Sequence, residues 1–388
     1  MPATSPKKYQ IIIYFIVTVL FWCTLFSYVP IFSPYLNSIG LTYSTIGLIG
    51  GAYGIAQLVV RIPLGFFSDR IGKRKIFIVL GVFFGTFSAF LLGFTSNGFL
   101  LTLGRFSAGI AASAWVIFTV LFSSYFQDDK AASYISYINV ANVVGVFIAK
   151  LMGSLLAEAF GYRAAFVVGG CAGLVALVLS AFIAENPPPS LQRASFRTML
   201  GVLRDKNLLI MSLLGILNQI VLFATIHTFT PQKAVNAGGS PADLAILSVC
   251  TALPSIVCTL FCSWLFGRKP NLRNLVVLAF AFQVVGTLIT GFATTVPMVF
   301  IGGIIAGTGF STVVTSLLSF CTLTVEPAKR GFAMGVYQAL YSIGLFVGPV
   351  ILGTLSDLVG LNMGFALVSI ISAVGGVLAF LLLGYRRQ

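Results

Sequence analysis

The chain is built from long apolar stretches separated by short polar ones. Runs long enough to cross a bilayer fall at 11–33, 44–67, 76–95, 98–125, 133–158, 164–185, 207–229, 241–266, 273–292, 296–323, 331–356 and 362–385. A spanning helix needs about 20 such residues, because in hydrocarbon its backbone groups find partners only within the helix. The pattern predicts an all-α membrane protein of twelve transmembrane helices, numbered 1 to 12 in chain order. The connections are short except at 186–206, where Asn186-Pro187-Pro188-Pro189 opens a proline-rich polar segment. This segment separates two bundles of six helices, 1–185 and 207–388. The first run is long and lacks a small-residue cleavage site, so it reads as a retained helix and not a signal peptide.

Composition agrees with the pattern. Of 388 residues, 58% are hydrophobic and 8% charged, whereas a soluble domain carries about 25% charged residues. Such a chain could not cover a water-facing surface. The net charge of +14 does not point to nucleic acid, because the basic residues sit at helix ends and form no single patch. Their distribution gives the topology instead. With the N-terminus in the cytoplasm, 18 of the 23 Lys and Arg residues fall on the inner side, from Lys7 and Lys8 through Arg70–Lys75 to Arg386 and Arg387. Only Arg163 and Lys233 fall outside, and Arg61, Arg105 and Lys150 lie within helices. The excess of positive charge inside predicts two cytoplasmic termini in a cytoplasmic membrane. The cysteines, including Cys258 and Cys262 four apart on helix 8, have no His or acidic neighbours and read as small buried residues with no metal. No cofactor is expected.

The loop after helix 2 reads Gly65-x-x-x-Asp69-Arg70-x-Gly72-x-Arg74-Lys75. Helix 4 opens with Leu101-x-x-x-Arg105-x-x-x-Gly109-x-Ala111-Ala112, and Gly161-Tyr162-Arg163-x-x-Phe166 joins helices 5 and 6. Together with twelve helices and a central loop, these motifs make the whole chain resemble the major facilitator superfamily of secondary transporters. The resemblance implies two bundles that rock about a central site, with helices 1, 4, 7 and 10 lining the cavity. It further implies that Asp69, partnered with helix 11, holds the cytoplasmic gate shut in the outward-open state. Gly65 would let helices 2 and 11 approach closely, Gly72 would permit a tight turn, and Arg70, Arg74 and Arg61 would support the gate. The halves echo each other at an offset of about 200 residues, which places Gly344-x-x-x-Gly348-Pro349 of helix 11 opposite Ala141-x-x-x-Gly145-Val146 of helix 5. Gly348 and Pro349 thereby become gating candidates. The helix 8–9 loop, with Gly267 in place of the acid, is a degraded copy of the helix 2–3 loop.

Charge inside the membrane is costly and therefore informative. Lys150 is too deep in helix 5 to reach the headgroups easily, and Asn139, Asn142, Val146, Lys150 and Ser154 follow helical spacing. Glu158 lies eight residues further on, about 12 Å along the axis, too far to pair with Lys150. Lys150 and Arg105 are the leading contacts for an anionic group. Trp22, Asn218, Gln338 and Tyr341, with Asn139 and Asn142, could complete a polar and aromatic wall. Glu158 and His227, the sole histidine, are candidates for proton coupling. Hydroxyl stripes on helices 8 and 10 more simply bond their own backbones.

These residues favour a secondary carrier for a small organic anion: a carboxylate, phosphate ester, acidic peptide fragment or siderophore. An exporter of cationic drugs normally holds an acid in the core of its first half, and none is apparent here. Helix 5 also carries Gly145-Val146 where the antiporter motif has Gly-Pro. A multidrug–proton antiporter nonetheless stands as the alternative, and a non-transporting transceptor as a further one. No nucleophile–His–acid set or nucleotide-binding loop is present, so neither an enzyme nor an ATP-driven pump is expected. The partners expected are the bilayer and the solute, with a proton as candidate coupling ion, no nucleic acid and no second copy.

Overall fold

The computed structural model describes residues 8–126, 128–185, 205–266, 271–324 and 330–383. Twelve helices are long and apolar enough to span a membrane. They are helix 1 (Lys8–Ser38), 2 (Tyr43–Ser68), 3 (Arg74–Phe94), 4 (Gly98–Ser123), 5 (Tyr137–Phe160) and 6 (Arg163–Ser180). Helices 7 to 12 are Lys206–Asn236, Pro241–Cys262, Leu272–Gly291, Val296–Phe320, Ala333–Val359 and Leu361–Leu382. We call the end where helices 1 and 2 join, and likewise 7 and 8 or 11 and 12, the distal end; helices 2 and 3 join at the proximal end. The degraded loop around Gly267 and the central proline-rich segment lie outside the described residues.

Each span matches an expected run, and helix 7 differs most. It continues past position 229 to Asn236, through a π-helical turn at Thr225–Phe229. The polar residues of Thr225-Ile226-His227-Thr228-Phe229 interrupt the hydropathy signal without ending the helix. Some helix starts are fixed by side-chain caps. The Asn97 carboxamide oxygen accepts from the N–H groups of Phe99 and Leu100, and the Asp205 carboxylate accepts from those of Asn207 and Leu208. Each cap satisfies donors that the first helical turn leaves without a partner.

The contacts group the chain into two units. One comprises residues 1–31 and 55–193, the other 32–54 and 194–388. The second therefore includes the distal part of helices 1 and 2, which by sequence would belong to the first half. Inside the first unit, helix 1 packs on helices 5 and 6, and helix 3 on helices 4 and 6. Tyr14 of helix 1 donates from its hydroxyl to the Phe118 carbonyl of helix 4 at 2.8 Å and lies against Phe122 and Tyr125. Inside the second, helix 9 packs on helices 10 and 12, and helix 7 on helix 11. Its core is centred on Leu214, Phe280, Val313 and Tyr337. Large apolar side chains such as Phe83, Phe94, Leu174 and Val257 point outward, as expected of surfaces solvated by lipid.

Candidate functional site

Helix 5 lies unusually close to helix 1. A Cβ on Gly153 would overlap the Ser27 carbonyl oxygen, and one on Gly145 would come within 2.8 Å of the Val19 carbonyl oxygen. The Cys23 thiol donates to the Gly145 carbonyl at 3.5 Å. This close packing carries Lys150 alongside Phe26, with Nζ 5.9 Å from the ring centroid. The Phe26 ring lies 5.5 Å from that of Trp22, which in turn meets Trp115 edge-on at 5.2 Å. The indole nitrogen of Trp22 is buried and makes no hydrogen bond. Among the described residues no carboxylate acts on Lys150. Glu158 is exposed at the distal end of helix 5, Asn139 is exposed, and Asn142 and Lys150 are half-buried.

Arg105 and Lys150 each lie beside an aromatic ring of helix 1. Arg105 is 6% exposed, with its guanidinium carbon 5.9 Å from the Tyr28 ring. Tyr28 stacks on Phe166 of helix 6 at 5.0 Å, and its hydroxyl lies 3.4 Å from that of Ser88 on helix 3. Arg105 of helix 4 thus meets helix 1 at Tyr28, and Lys150 of helix 5 meets it at Phe26.

In the second unit Asn218 is held inside the bundle. Its side-chain oxygen accepts from Gln283 Nε2 at 2.7 Å, and Ser372 Oγ donates to Gln283 Oε1 at 3.0 Å. This chain links helices 7, 9 and 12. The adjacent Gln219 keeps a buried side-chain oxygen without a donor. Gln338 and Tyr341 are half-buried on helix 11, and Tyr341 packs edge-on against Tyr337 at 5.4 Å. His227 sits in the π-helical turn, its ring 4.6 Å from that of Phe223. The hydroxyls of Thr251, Ser255, Thr308 and Thr312 each donate to a carbonyl one turn earlier in their own helix, as the simpler reading of the stripes expects.

The proximal motif has a more structural face than its gating role suggests. The Asp69 side chain lies outside the described residues. Gly72 has φ +70° and its N–H donates to the Ser68 carbonyl at 3.0 Å, closing helix 2. Arg70 is exposed, whereas Arg74 is buried at the start of helix 3. The backbone N–H groups of Arg74 and Lys75 donate to the two carboxylate oxygens of Glu185, each at 2.9 Å. Arg61 is buried and donates to the Gln57 side-chain oxygen one turn back, so it does not extend to the headgroups. A Cβ on Gly65 would meet nothing within 4 Å. Helix 2 approaches helix 11 closely in its distal third. There a Cβ on Gly47 would overlap the Pro349 carbonyl oxygen, and one on Gly353 the Tyr43 carbonyl oxygen. On its other face helix 11 sets Gly348 against the Ile220 backbone of helix 7.

Sequence reasoning missed Asp357, near the distal end of helix 11. Its two carboxylate oxygens accept from the Tyr43 N–H at 3.0 Å and the Ser44 N–H at 2.8 Å, capping helix 2. A signal for it exists. Gly353-Thr354-Leu355-Ser356-Asp357-Leu358-Val359-Gly360 repeats the spacing of Gly65-Phe66-Phe67-Ser68-Asp69-Arg70-Ile71-Gly72. Gly360 also repeats the geometry of Gly72, with φ +84° and a bond to the Ser356 carbonyl at 3.1 Å.

Twelve spanning helices among the described residues, with an ionisable group set inside the fifth, define a polytopic membrane protein. The major facilitator superfamily model matches residues 14–237 and 229–388, and the chain belongs to that superfamily. An uncharacterized MFS-type transporter of Methanocaldococcus jannaschii is 27% identical over 367 residues, covering 91% of this chain and 92% of that protein. The quinolone resistance protein NorA of Staphylococcus aureus is 22% identical over 336 residues, 85% of each chain. A bacterial homologue of the human lysosomal transporter Spinster, solved inward-facing and unoccupied, superposes with TM-score 0.82 at 18% identity, covering 97% of both chains. The nucleoside transporter NupG gives TM-score 0.75 at 16% identity, covering 97% of this chain and 100% of that one. At these identities the structural likeness speaks for the fold.

Proposed function

We propose that this transporter is a secondary active carrier of a small organic anion, working by alternating access as a monomer in the cytoplasmic membrane. Both termini are cytoplasmic in this reading, on the strength of the Lys and Arg distribution, and the distal end faces outward. The observation that carries it is Lys150: a half-buried cation deep in an apolar span, set against Phe26 and opposed by no carboxylate among the described residues. An uncompensated ammonium in hydrocarbon costs about 2.5–3.5 kcal/mol on insertion scales. A carboxylate or phosphate ester would supply the missing counter-charge, and the rings of Trp22, Phe26 and Trp115 would cover an apolar part of the same molecule. Glu158 and His227 remain the candidates for a coupling proton, and exchange of one anion for another is the other route.

The likeness to NorA supports a second reading, export of amphipathic drugs by proton antiport. The two readings differ in the charge of the cargo. The test is thermal unfolding of the purified protein with panels of organic carboxylates, phosphate esters and lipophilic cations. The anion reading expects members of the first two panels to raise the unfolding temperature of the wild type and not of Lys150→Ala. Stabilisation by lipophilic cations alone, unchanged in Lys150→Ala, would establish drug export instead.

A further inference from the structure

We infer that Lys233 and the start of helix 12 form a second anion site, at the distal end of the second unit. It takes a small singly charged anion, such as a halide or a short carboxylate. It shares no residue with the surroundings of Lys150 and does not depend on the charge of the cargo.

Lys233 lies in the last turn of helix 7 and is one of the two basic residues that the sequence sets on the outer side. Arg163, the other, is exposed, whereas Lys233 is 6% exposed. A lysine this close to a helix end can pack its stem on apolar surface and keep its ammonium in water. The Lys233 ammonium instead donates to the side-chain oxygen of Asn362. That oxygen is neutral and occupies one of three N–H groups. Among the described residues no carboxylate acts on Lys233 and no second acceptor reaches it. A buried charge that lacks a counter-charge is costly, and a bound anion removes that cost.

The start of helix 12 adds to the same deficit. Asn362 is the second residue of that helix, Leu361–Leu382, whose first turn holds no acid and whose N-terminus no side chain caps. The N–H groups of a first turn have no partner within the helix, and this end of the dipole is positive. The negative end of helix 7 offsets Lys233 in part, while the positive end of helix 12 opposes it. A Cβ on Gly360, which precedes helix 12 with φ +84°, would meet nothing within 4 Å, and Asn362 is exposed. The site is thus open at the distal surface. An anion lodged there receives the ammonium and the first-turn N–H groups together, a donor set that suits halides and carboxylates. Lys233, Gly360, Leu361 and Asn362 all belong to the second unit.

The test is thermal unfolding of the full-length protein in lipid-free detergent, in sodium chloride against sodium gluconate at equal ionic strength, the gluconate being too bulky for the site. Chloride should raise the wild-type midpoint saturably by at least about 2 °C, as a ligand of the folded state does. Lys233→Met removes the charge and keeps the length of the side chain. It should unfold in gluconate at or above the wild-type midpoint and gain nothing from chloride. Asn362→Asp builds the counter-charge into the chain, so it should raise the midpoint in gluconate by about 2 °C or more and abolish the chloride response. Lys150→Ala should keep that response in full. Phosphatidylglycerol added in gluconate offers the same charge on a lipid: a rise there that needs Lys233, with none from chloride, would keep the site and give it to a headgroup phosphate. Equal wild-type midpoints in all three media, a response that survives Lys233→Met, or one lost in Lys150→Ala alone would overturn the inference.

Discussion

Replacement of Gly348 by alanine tests whether helices 7 and 11 are in backbone contact. The new Cβ would overlap the Ile220 carbonyl oxygen and lie 2.8 Å and 2.9 Å from the carbonyl carbon and Cα of the same residue. Ordinary carbon contacts begin at about 3.5 Å, so the helices must separate by several tenths of an ångström along a seam that also holds Gly344. Overpacking of this kind costs about 1–3 kcal/mol, offset by about 1 kcal/mol from the better helix propensity of alanine. A net loss of up to about 2 kcal/mol is expected. Gly335 provides the control: it is on the same helix, and a Cβ there meets nothing within 4 Å. Gly335→Ala should therefore be neutral or stabilising by up to about 1 kcal/mol. The assay is the temperature at which detergent-purified protein loses its monodisperse elution peak, compared at one heating rate because such unfolding is rarely reversible. Gly348→Ala should fall below wild type, with Gly335→Ala at or above it. Equal midpoints for the two variants, or a loss in Gly335→Ala as large as that in Gly348→Ala, would refute the close contact.

Other substitutions probe the remaining polar contacts. Gln283→Ala should lower the same midpoint by the equivalent of about 1–3 kcal/mol, because it strands the buried side chains of Asn218 and Ser372 at once. A midpoint equal to wild type would show that the chain of bonds adds nothing. Glu185→Ala should cost about 1 kcal/mol by uncapping helix 3. Hydrogen exchange that quickens at Arg74 and Lys75 would localise the loss, whereas unchanged exchange there would argue against the cap.

The architecture was legible because the bilayer imposes a length. A helix must be apolar for about 20 residues whatever it packs against, so all twelve spans stand out from the hydropathy pattern. Lys150 was legible for a related reason, since a charge within such a run stands alone. Which side of a helix meets which neighbour is a tertiary fact with no comparable signal. Arg105 and Lys150 look equivalent as buried cations. In the structure the first joins Tyr28 and the second Phe26. Asn218 reads as a cavity residue on helix 7, and its bond to Gln283 is a tertiary contact with no signal in the sequence. An offset of about 200 residues pairs helix 11 with helix 5 and so hides the repeat around Asp357. The matching elements instead end helices 2 and 11, which point in opposite directions.

The central claim is that Lys150 receives the negative charge of the cargo. Counterflow in proteoliposomes tests it most directly, with an organic anion that stabilises the purified protein trapped inside and its labelled form outside. Lys150→Ala should lower kcat/KM for the anion at least about tenfold, the equivalent of 1.4 kcal/mol, and Lys150→Arg should recover part of the rate. Exchange of the anion by Lys150→Ala at the wild-type rate would contradict the account.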